Sequence, residues 1–135
     1  MQKDIKELRI EMKSFYKDIR SPIFCKVLDV DVYFNADGIF HLRYDGARKK
    51  RPIKEEYSKL SLLPLVIPVI KSTKEVARDT RIIGSKEIKY WALTMPVGKS
   101  NIMIKVILRK IDGGRVHFFS VMRLRNRKQK TPTLS

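Results

Sequence analysis

The chain is short of the residues that hold metals and cross-link folds. A single cysteine, Cys25, stands among 135 residues, so neither an internal disulfide nor a thiolate zinc cage can form, and it reads as a small buried hydrophobe. There are two histidines, His41 and His117. Acids are scarce and unevenly placed: 14 Asp and Glu oppose 30 Lys and Arg, and beyond Glu87 the one acid is Asp112. A two-metal nuclease needs several carboxylates converging on divalent ions, and a second half this poor in acids is badly suited to that. No run of about 18 apolar residues occurs, so no membrane span is expected. Met1 to Arg20 alternates charges and lacks the apolar centre of a signal peptide. A cytoplasmic protein with no metal, no cofactor and no membrane partner is the expectation.

What is abundant is positive charge, +16 in all. That excess repels itself in a folded domain and points to a polyanionic partner. Its distribution narrows the choice. Arg43–Lys54 carries six bases against Asp45, and Arg123–Ser135 carries five bases with no acid. These bases fall on loops, strands and a tail. A membrane-surface helix would instead pair a cationic face with large apolar residues. Nucleic acid is the expected partner, with Arg43, Arg48, Lys49, Lys50 and Arg51 as candidate phosphate contacts.

The length fits one domain, expected over residues 1–122, followed by a disordered basic tail over 123–135. Ile5, Leu8, Met12, Phe15 and Ile19 recur at helical spacing and predict a helix over 3–20, ended by Ser21-Pro22. Val30–Phe34 and Ile39–Tyr44 alternate about Asn35-Ala36-Asp37-Gly38, which predicts a hairpin with His41 and Arg43 on its polar face. A helix is expected from Ile53 to about Leu63, with Pro52 at its start. Leu60–Ile70 reads as buried helical turns kinked at Pro64 and Pro68. Lys71–Ser85 reads as a polar connection with one helical turn near Glu75–Arg78. Three strands then follow: Ile88–Met95 ended by Pro96, Ile102–Lys110, and Arg115–Met122. The fold class is α+β, with N-terminal helices packed on a small, mostly antiparallel sheet of four to five strands.

Metal-free cleavage of RNA needs a base for the ribose 2′-hydroxyl, an acid for the leaving 5′-oxygen, and cations about the phosphorane. His41 and His117 are the candidate acid–base pair, in either order. Lys105 and Arg109, on one face of a single strand, could hold phosphate. Ser120 could orient phosphate or imidazole. Under regular alternation, however, it points away from His117, so either a bulge intervenes or only one of the two faces the site. Trp91 and Tyr90 could stack on a base, or Trp91 could anchor the core. Gly98-Lys99-Ser100 lacks the upstream glycines of a phosphate loop.

The runs His41-Leu42-Arg43, Arg48-Lys49-Lys50-Arg51-Pro52, Leu62-Leu63-Pro64-Leu65, Tyr90-Trp91, Lys105-Val106-Ile107-Leu108-Arg109 and His117-Phe118-Phe119-Ser120-Val121 together resemble the phage-type barnase–EndoU–colicin–RelE-like nucleases. The resemblance spans about residues 30–122. It implies a helical N-terminal part, a four-stranded antiparallel sheet whose face forms the cleft, and RNA cleavage through a 2′,3′-cyclic phosphate. It also implies a toxin or phage setting, and His41, Arg109, His117 and Ser120 match its recurring polar positions. The expected function is a metal-independent endoribonuclease; the alternative is a non-catalytic RNA- or DNA-binding module. An acidic antitoxin or immunity protein would suit either.

Overall fold

The computed structural model describes residues 3–19, 22–44, 49–99 and 102–124, with the backbone alone at 36, 37 and 39. Arg48 and the tail from 125 onward lie outside the described residues. The N-terminal stripe forms α1 (Ile5–Asp18), capped where the Asp4 carboxylate accepts the Glu7 N–H at 2.8 Å, and it buries Leu8 and Met12. Next, β1 (Ile23–Cys25) and β2 (Val30–Val32) pair antiparallel, with Cys25 opposite Val30. Asp29 (φ 56°) makes the tight turn between them, a left-handed conformation that Asp tolerates better than most residues.

Ile39–Tyr44 is therefore not the partner of Val30–Phe34. It belongs to a helix, α2 (Ala36–Arg43). Asn35 does not open a turn; it is an N-cap, its side-chain oxygen accepting the Gly38 N–H at 3.3 Å. Gly38 supplies close approach, not positive φ. A Cβ there would lie 2.7 Å from the Phe118 carbonyl oxygen and 2.9 Å from the Tyr16 hydroxyl. In eight residues a period of 2 and a period of 3.6 are hard to separate, and the cap and the close packing decide for helix.

Helix α3 (Ile53–Leu62) follows Pro52, and the proline-rich apolar stretch becomes a 3-10 turn (Leu63–Leu65) and α4 (Val66–Ser72). The polar connection expected beyond Lys71 is instead a nine-residue strand, β3 (Glu75–Ile83), with no helical turn at Glu75–Arg78. It forms the outer strand of a four-stranded antiparallel sheet, β3-β4-β5-β6, with β4 (Lys86–Val97), β5 (Ile102–Ile111) and β6 (His117–Arg123). Most of β3 is exposed, so its polar composition fits an edge strand as well as a loop. Pro96 does not end β4: it pairs with Met103 within the strand. β3 begins opposite Thr94, so Pro96 has a neighbour on one side alone and its missing donor costs no ladder bond there.

One face of this sheet carries the core. Leu93, Ile104, Val106, Leu108, Phe118 and Val121 pack with Leu8, Met12, Cys25, Val32, Val66, Val69 and Ile70. Each such apolar side chain contributes about 1.5–3 kcal/mol by leaving water. The protein is thus α+β, its helices and small β1–β2 hairpin set around a four-stranded antiparallel sheet. No helix among the described residues is long and apolar enough to cross a membrane.

Candidate functional site

The sheet face opposite the core holds the chemistry, and an irregularity in β6 arranges it. Leu108 pairs with Phe118, but Ile107 pairs with Ser120, which leaves Phe119 as an extra residue in β6. This bulge resets the alternation. Phe118 and Val121 stay in the core, while His117 (opposite Arg109) and Ser120 (opposite Ile107) share the other face. Both alternatives open in the sequence are met: a bulge intervenes, and of the two only Ser120 lines the cleft that holds His41.

A cleft of about 320 Å³ lies over this face, lined by Arg51 and by residues from α2, α3 and all four strands of the sheet, His41, Lys59, Tyr90, Phe119 and Ser120 among them. His41 sits in the last turn of α2, its ring stacked on Phe119 with centroids 4.2 Å apart. Arg51 is brought over it by the loop closure: the Arg51 N–H donates to the Arg43 carbonyl at 2.8 Å, and Tyr44 bridges Lys50. The Arg51 side chain then donates from Nε to the His41 carbonyl at 2.9 Å and lies 3.2 Å from His41 Nε2 through Nη2. It also pairs with Glu55 through Nη1. A guanidinium has no acceptor, so His41 Nε2 accepts and the ring proton sits on Nδ1. In this tautomer the His41 Nε2 lone pair faces Arg51 at the edge of the cleft.

Lys59 is the residue that sequence reasoning missed. It lies one turn beyond Glu55 on α3, is 9 % exposed, and donates to Ser120 Oγ at 3.2 Å and to the Val121 carbonyl at 3.0 Å. Burial disfavours its ammonium, and the nearby Arg51 cation adds to this, so its pKa falls to about 8 while Glu55 pulls the other way. A usable signal was present: Arg51, Glu55 and Lys59 recur at four-residue intervals, which on a helix is one face. At the far wall Arg81 donates to Asp79 at 2.9 Å and lies 5.2 Å over the Tyr90 ring.

The remaining candidates divide. Arg109 lies 4.2 Å over the Phe119 ring and donates from Nε to His117 Nε2 at 3.3 Å, so His117 too holds its proton on Nδ1. His117 is 6 % exposed and lines a separate cleft with Tyr33, Asn35 and Arg115. The two histidines therefore approach the Phe119 neighbourhood from different clefts. Lys105 is 2 % exposed, does not line the His41 cleft, and has its pKa lowered by burial. Arg43 turns inward to Glu56 at 3.0 Å. Lys49 and Lys50 are exposed. Trp91 pairs with Leu108, which places it on the core face, away from its neighbour Tyr90. No group of three or more His, Cys, Asp or Glu side chains converges among the described residues. Compared with known proteins, the chain matches no family model, no curated sequence and no solved structure.

Proposed function

We propose that this protein is a metal-independent endoribonuclease. The observation that carries the reading is the cleft itself, where a histidine, a buried lysine, an arginine and a serine meet beside two aromatic rings. In this mechanism His41 Nε2 takes the proton of the ribose 2′-hydroxyl. Its 3.2 Å contact with Arg51 is long for a charge-assisted bond, so an incoming hydroxyl can displace it. The 2′-oxygen attacks phosphorus, the bond from phosphorus to the 5′-oxygen breaks, and Lys59 returns a proton to that oxygen. The products are a 2′,3′-cyclic phosphate and a 5′-hydroxyl. Arg51 faces the charge that builds on the phosphorane, Ser120 keeps Lys59 in place, and Phe119 and Tyr90 offer rings against which a base can stack. Arg109, aligned by His117, supports the Phe119 ring from within the sheet. Only a ribose carries the internal nucleophile, so RNA is the substrate and DNA is not.

The test is incubation of the purified protein with RNA in excess EDTA. Cleavage that persists, yields cyclic-phosphate ends and falls by about 10²–10⁴ in His41→Ala supports the assignment. Intact RNA, or activity that follows added magnesium, refutes it. Salt-sensitive binding without product would leave a non-catalytic RNA-binding module.

A further inference from the structure

The residues that the cleavage cleft leaves unused gather on the other face of the sheet. A second cleft, of about 330 Å³, is lined by Arg78 and Thr80 of β3, Lys89 and Trp91 of β4, and Leu28 and Val30 beside the β1–β2 turn. The register makes this a compact group: Arg78 lies directly opposite Trp91, and Thr80 opposite Lys89. Trp91 is half-buried, seated on the core by one part of its indole and open to the cleft by another. Arg78 is exposed at its rim. Two carboxylates stand nearby, and neither cancels the cations. Asp79 also borders the cleft, but it is engaged by Arg81 at 2.9 Å, and alternation turns its side chain toward the opposite face. Glu87 is 3.8 Å from Lys89 in a solvent-exposed pair, which is worth little.

An indole floor with an arginine and a lysine at its edge is chemistry for a nucleobase and its adjoining phosphate: the ring stacks on any base, and the cations hold the backbone. Tyr90, next to Trp91 on β4, borders both clefts, which lie on opposite faces of the strand. We propose that this second cleft is a subsite for a nucleotide of single-stranded RNA, outside the bond that is cut. The inference rests on the ribonuclease reading for the identity of the polymer, and on its own residues for the contact. The subsite lengthens the footprint of the enzyme on RNA and favours unpaired segments, since a base inside a duplex cannot reach an indole face.

Trp91 is the chain's single tryptophan, so its emission reports this cleft alone. The experiment titrates the full chain with a short 2′-O-methyl oligoribonucleotide, which has no attacking hydroxyl, and follows both tryptophan emission and the anisotropy of a label on the oligonucleotide. The expected result is quenching that tracks binding, with a midpoint about tenfold weaker in an Arg78→Ala, Lys89→Ala double variant; melting curves check that the variant is folded. Emission that stays constant while anisotropy saturates overturns the subsite, as does an unchanged midpoint in the double variant or a lack of any binding. The two readings fail separately. Quenching without cleavage of unmodified RNA in EDTA removes the ribonuclease, and cleavage with a silent Trp91 removes the subsite.

Discussion

At the scale of single residues, Lys59 is where burial becomes chemistry. An ammonium enclosed between α3 and β6 is held by a hydroxyl and a carbonyl and faces Arg51, Glu55 and His41 across the cleft. Its pKa of about 8, against 10.5 for an ordinary lysine, has two consequences. Between those values the folded protein binds fewer protons than the unfolded chain, so stability rises as pH increases through that window. Lys59→Met abolishes this rise and lowers cleavage by about 10²–10⁴; urea midpoints on either side of pH 9 and single-turnover rates check both. If the protonated form donates to the leaving oxygen, kcat/KM also declines above about pH 8. Lys59→Arg keeps the charge and removes that decline, a response that a purely structural lysine would not give. The sequence named His41, Arg51 and Ser120, because rare residue types and basic clusters are visible in one dimension. It did not name Lys59, because a lysine in a charged helix looks like solvated surface until its neighbours are in place.

At the scale of elements, the errors and successes have separate causes. Long periodic segments such as α1 and β5 declared themselves, since many positions vote on the period. α2 did not, because its eight residues alternate as well as they coil, and its deciding contacts are tertiary. The edge strand β3 was hidden for the opposite reason: exposed on most positions, it has no apolar face to announce it. Gly38 tests the account of α2. If close approach to β6 explains this glycine, Gly38→Ala pushes a methyl group into the Phe118 carbonyl and destabilises by about 1–3 kcal/mol. A turn glycine with no such neighbour would lose much less. Denaturant unfolding measures it, and the same substitution displaces His41, which is on the same helix, so cleavage falls with it.

At the scale of the whole molecule, most of the Lys and Arg side chains among the described residues lie at the surface, but a few are spent inside. Glu56 is 0 % exposed and receives Arg9 in two bonds of 2.9 and 2.7 Å and Arg43 in one of 3.0 Å. One carboxylate thus ties α1, α2 and α3 together. The Arg9 guanidinium, and Arg43 after it, hold its pKa below the ordinary carboxylate value despite burial. The folded value being depressed, this stabilisation is complete above about pH 4.5 and is lost as pH falls through the lower folded value. Glu56→Gln leaves two arginines facing a neutral amide and costs about 3–5 kcal/mol near neutrality. Urea unfolding across pH should show the gap between the two proteins closing in acid; equal stability at neutral pH would contradict it. Composition alone could not reveal this pair of roles, because 30 cations in a list do not say which face water, which line a cleft and which face a buried acid.

The extra residue in β6 carries a consequence for how such a protein can change. Phe118 and Val121 belong to the interior, whereas His117, Phe119 and Ser120 belong to the clefts, and the bulge separates the two sets by one unit of length. Substitutions at the second set change the lining of the clefts while Phe118 and Val121 keep their places in the core. Deleting Phe119 would make β6 regular, with Ser120 still opposite Ile107 and Val121 still opposite Val106, and would remove only the ring on which His41 and Arg109 rest. The lining of the cleft can therefore drift by point mutation, and even by loss of this one codon, while the pleat that seats the core stays in step.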